Sequence, residues 1–92
     1  MSVKERFIWL LRIHEISREK FGRDADYNPN TITSFVEAQI LADSSPQEVA
    51  QAESLVTKLL LREIKRMRDD MKDSNPGLVD KYGLDELLED VE

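Results

Sequence analysis

Every proline in this chain directly follows a residue that favours helix caps: Asn28-Pro29, Ser45-Pro46 and Asn75-Pro76. Proline fits the first helical position because its missing N–H would be unpaired there anyway. The residue before a proline is pushed out of the α region, and a cap residue needs that extended backbone. Each pair therefore predicts a helix start. Between these marks no segment alternates apolar and polar residues at the period of two that a half-buried strand requires. The expected fold class is all-α.

The first helix is predicted to open at Ser2, whose side chain and that of Glu5 have capping-box spacing. It should run to Phe21, with Gly22 as the stop. The polar stretch from Arg23 to Pro29 reads as a loop. The second helix should start after Asn28 or Asn30, or slip as far as Ser34, because Thr31, Thr33 and Ser34 weaken its first turn. It carries the stripe Ile32, Phe35, Val36 and Ile40 and should end near Asp43. The third is the clearest: Ser45, Pro46 and Glu48 form a second capping box. The apolar series Val49, Ala52, Val56, Leu60, Ile64, Met67 and Met71 then continues without glycine or proline to about Lys72, roughly 40 Å of helix. Beyond it, Asn75-Pro76 should open a short turn through Leu78, Val79 and Tyr82 that Gly83 closes. A last short helix near Asp85 carries Leu84, Leu87, Leu88 and Val91. The expectation is a small helical bundle of three main helices (about 2–21, 29–43 and 45–72) plus a short acidic helical tail. As domains this is a bundle over 1–75 and a tail over 76–92, of which residues 84–92 should be removable without unfolding the rest.

At 92 residues the chain has room for one domain, and 40% hydrophobic content is enough for a core. The net charge of -6 is laid out in blocks. Residues 1–23 and 58–72 are net basic, while 24–57 and 73–92 are net acidic. With no cysteine, disulfides and thiolate chemistry are excluded, which fits a reducing compartment. The longest apolar run, Phe7 to Leu11, is far too short to span a bilayer. The first twenty residues lack the apolar region and cleavage site of a signal peptide. The expected location is cytoplasmic, without membrane contact.

Few residues are placed for chemistry. His14 is the only histidine, and a zinc site needs about three or four nitrogen, sulfur or carboxylate ligands. His14-Glu15 begins like a zinc-protease motif, but no second histidine follows. His14 reads instead as a residue at the edge of the core. The run Asp24 to Asn30 resembles the first half of a calcium loop, yet Pro29 replaces the required glycine and Phe35 the closing glutamate. It reads as a turn whose Asp and Asn side chains cap local backbone. The basic stretch Lys58, Arg62, Lys65, Arg66 and Arg68 is interrupted by Glu63, Asp69 and Asp70 within an acidic chain, which reads as a solvated face before it reads as a phosphate-binding one. No catalytic triad, phosphate loop or carboxylate pair is present. The expectation is a non-enzyme with no metal, no cofactor and no small-molecule substrate.

What remains is a surplus of apolar surface on the first helix. At 100° per residue, Val3, Phe7, Leu10, Leu11, His14 and Phe21 cluster on one side, and Trp9, Ile13 and Ile16 on another roughly 120° away. Either this helix is sandwiched within the chain or its second stripe meets another chain. The third helix, longer than any partner in the chain, should protrude when alone, which favours the second choice. The expected function is a helical protein-protein interaction module: an adaptor, inhibitor, assembly factor or regulatory subunit. It should act with a protein partner and as a homodimer, with Trp9, Ile13, Ile16, Met67 and Met71 at the interface. The alternative is a small nucleic-acid-associated regulator that uses the basic stretch.

Overall fold

The computed structural model describes residues 2–22, 28–40 and 45–91, apart from the side chains of residues 29, 39 and 40. It is all-α, with five helices: α1 (Val3–Phe21), α2 (Pro29–Ile40), α3 (Pro46–Ser74), α4 (Gly77–Tyr82) and α5 (Leu84–Val91). No strand occurs among the described residues.

The local signals explain where most helices begin. The Ser2 Oγ accepts from the Glu5 N–H at 3.2 Å, and the Ser45 Oγ accepts from the Glu48 N–H at 3.3 Å. Each bond satisfies an amide that the first turn would leave unpaired. The Asn28 side chain accepts from the Asn30 N–H at 3.0 Å, so α2 starts at the proline and does not slip to Ser34. The expected end of α2 near Asp43 lies outside the described residues. At the other end of α1, Gly22 takes φ 64 and returns its N–H to the Arg18 carbonyl at 3.0 Å. That left-handed backbone is costly for a residue with a Cβ.

The third proline behaves differently from the first two. Asn75 closes α3, giving its N–H to the Met71 carbonyl at 2.7 Å, and α3 runs on to Ser74. Asn75 lies outside the α region before the proline, at φ -157 and ψ 89, as the ring demands. The cap position of α4 then falls on Pro76, which offers no side-chain bond. One asparagine thus ends a helix where the sequence pattern has it starting one.

The third helix is the hub, packing against each of the other four. Its 29 residues span about 43 Å at the standard rise, which matches the long axis of a body measuring 43 × 25 × 15 Å. It does not protrude, as its length alone led us to expect, because α4 and α5 fold back beside its far half. Arg68 reaches Asp85 there at 3.7 Å. At the near end, the Arg6 Nη1 donates to the Glu53 Oε1 at 2.9 Å and to the Thr57 Oγ1 at 2.7 Å, tying the start of α1 to α3.

A single core cluster draws on all five helices. Val79 of α4 and Leu84, Leu87, Leu88 and Val91 of α5 belong to it. The segment expected to be removable is therefore a wall of the core.

Candidate functional site

The side chains that α1 buries are Leu10, Ile13, His14 and Ser17. Leu10 and Ser17 are seven residues apart and lie nearly above one another on a helix. They define one buried line, at the edge of the first stripe nearest the second. The stripes are edges of one broad face, and α1 packs chiefly against α3 and also against α2, with Ile13 internal as the within-chain alternative expected. Ser17 is polar, so an apolar-only reading leaves a gap where the middle of the face lies.

Three of the five residues expected at a dimer interface are internal. Ile13 is 0% exposed, and Met67 and Met71 are also buried in the chain's own core. Without unfolding, none of the three can serve as a contact surface. Trp9 and Ile16 are half-buried and pack against the core cluster. The one large hydrophobic residue left exposed among the described residues is Ile8, at 43%.

The basic stretch of α3 divides by face. Lys58, Arg62 and Lys65 lie on the exposed side. Arg66 and Arg68 are partly buried and turn toward acidic groups of this chain. Glu63 is 2% exposed, in the middle of the packing face, with the Arg62 Nε 3.6 Å from one carboxylate oxygen and the Arg66 Nη1 3.6 Å from the other. His14 is buried in α1, as an edge-of-core histidine would be. Among the described residues no group of three or more His, Cys, Asp or Glu is placed to hold a metal ion. Most of the Asp24–Asn30 loop lies outside the described residues. No described helix is long and apolar enough to cross a membrane.

A shallow depression forms where α1 meets the α4–α5 joint, lined by Trp9, Tyr82, Gly83, Glu86, Leu87 and Asp90. The joint is a single residue: Gly83 takes φ 61, closes α4 with its N–H on the Asp80 carbonyl, and accepts from the Leu87 N–H at 2.9 Å. This tight reversal sets Tyr82 and Leu87 on the same depression as Trp9, from the opposite end of the sequence. The guanidinium of Arg12 lies 4.9 Å from the Trp9 ring centroid, and the Lys81 ammonium 5.8 Å from that of Tyr82. Both are within cation–π range. Glu86 and Asp90, one helical turn apart on α5, are exposed and form the acidic rim.

No family model, characterised protein or solved structure matches this chain. The reading of function rests on this surface alone. Sequence reasoning singled out Trp9 but gave it to a second chain, and it missed Tyr82, Leu87, Glu86 and Asp90 as its neighbours. A partial signal was available: Leu84, Leu87, Leu88 and Val91 at i, i+3, i+4 and i+7 need an apolar partner, which α3 supplies.

Proposed function

We propose that this protein is a non-enzymatic helical interaction module that works in the cytoplasm by contact with another protein chain. The observation that carries the reading is the convergence of two half-buried aromatic side chains, Trp9 and Tyr82, on one shallow surface of a thin body. Tryptophan and tyrosine dominate the energetics of protein contacts because they bury large area at low entropy cost. The surrounding groups add polar and charged atoms suited to a rim.

A second reading is self-association, favoured by Ile8. It is 43% exposed on α1, and a two-fold pair is a common way to hide such a residue. The nucleic-acid alternative keeps Lys58, Arg62 and Lys65 on the exposed side, although Arg62 lies beside Glu63, while Arg66 and Arg68 turn to Glu63 and Asp85. It predicts a mobility shift of labelled nucleic acid that weakens steeply with salt.

Sedimentation equilibrium on the wild type and on Ile8→Lys, beside calorimetric titration with partners on Trp9→Ala/Tyr82→Ala, separates the readings. The module reading predicts that the aromatic double variant stays helical and loses partner binding. An undiminished heat of binding in that variant would overturn it.

A further inference from the structure

We infer that the Trp9–Tyr82–Leu87 depression receives a basic amphipathic helix of a partner protein. The inference rests on the interaction reading above and deepens it by naming the occupant's chemistry. The argument is charge complementarity around an apolar floor. Trp9, Tyr82 and Leu87 supply the floor, and Glu86 and Asp90 on its α5 side are the charged residues that line it; Arg12 and Lys81 lie over the Trp9 and Tyr82 rings without lining the depression. Among the described residues neither Glu86 nor Asp90 forms an ion pair, whereas Asp85 on the other flank of α5 is taken by Arg68. The carboxylates beside the floor are thus available to a cation from outside.

A second copy of the same surface is a poor occupant. A two-fold pair would gather the Glu86 and Asp90 carboxylates of both copies into one interface between two chains of net charge -6, and like charge at an interface opposes association. An anionic or phosphate-bearing occupant meets the same repulsion. A helix with apolar residues along one side and lysines or arginines along its flank satisfies both parts of the surface, in the way amphipathic helices lie in apolar grooves. The acidic balance of the chain, net -6, also draws such a segment in from a distance.

The test uses the full chain and two synthetic amphipathic helices of equal length, one of leucine and lysine and one of leucine and glutamate. Trp9 is the only tryptophan, so its emission reports the site directly. The leucine–lysine peptide should shift Trp9 emission saturably, and the leucine–glutamate peptide should leave it unchanged. Glu86→Lys/Asp90→Lys should weaken the first peptide by about tenfold or more, through loss of paired charge and new repulsion. Glu15→Lys/Glu19→Lys makes the same change in net charge on an exposed part of α1 away from the depression, and should weaken binding far less. Equal weakening by both double variants would reduce the effect to overall charge and overturn the inference. Equal response to both peptides would overturn the basic occupant while leaving the interaction module standing. Silence of Trp9 toward both, with each double variant still helical, would also overturn it, and the module reading would then stand or fall on the aromatic double variant alone.

Discussion

Glu63 is the residue whose position most departs from what its chemistry favours. A carboxylate in the middle of a packing face loses its hydration, and two guanidinium groups at 3.6 Å are too long to replace it with good hydrogen bonds. Its Oε1 is buried and accepts no hydrogen bond. Replacing such a group by an apolar one of similar size is often neutral or stabilising, whereas stripping away its partners leaves a buried charge uncompensated. Glu63→Leu is therefore expected to keep or raise the melting temperature, by up to about 4 kcal/mol of stability. Arg62→Ala/Arg66→Ala should lower it, by about 3 kcal/mol or more. Urea melts of both variants check the pair of signs. The position was not legible in the sequence. Periodicity places Glu63 on the inward side between Leu60 and Met67, but glutamate's usual exposure makes any reader move it outward. Arg6 was missed for the same reason: its stem lies on the buried line of α1, with only its tip reaching Glu53 and Thr57.

Helix boundaries are where the sequence was most readable, because caps are contacts within one turn. Ser2, Gly22, Asn28, Ser45 and Gly83 all do what their residue types favour. Ser45→Ala should cost about 1 kcal/mol, the usual loss for a serine cap. Gly83→Ala should cost about 1–2 kcal/mol, because φ 61 is strained for any residue with a Cβ. Thermal melts by circular dichroism read both. The partner of α5 was not readable, because no local rule states which helix covers which. Its four buried apolar side chains contribute roughly 1.5–3 kcal/mol each. Fixing its eight residues costs about 1–2 kcal/mol apiece, so its own balance is near zero. Deleting it nonetheless exposes core residues that it now covers, and a small domain has little stability to spare. Truncation after Gly83 is accordingly expected to lower the melting temperature sharply or to abolish cooperative melting. A truncated chain that melts like the full one would return the tail to the peripheral role its charge suggests. The single substitution Leu84→Ala, at a fully buried site, should by itself cost about 2–5 kcal/mol.

At the scale of the whole molecule, the account turns on one redistribution of apolar surface. The sequence correctly shows that α1 has more apolar area than a one-sided helix needs. It does not show who covers it, and the choice between a sandwich within the chain and a second chain was made on the length of α3. That length is in fact the frame along which α4 and α5 return. The second stripe is consequently core at Ile13 and half-buried at Trp9 and Ile16. Ile13→Asp puts this to the most direct test, by far-ultraviolet circular dichroism and sedimentation on the same samples. A charge placed at a fully buried core position should remove the cooperative melt and most of the helical signal. A variant that keeps the wild-type spectrum and melting temperature while its mass falls from two chains to one would contradict the account, placing Ile13 at an interface between copies.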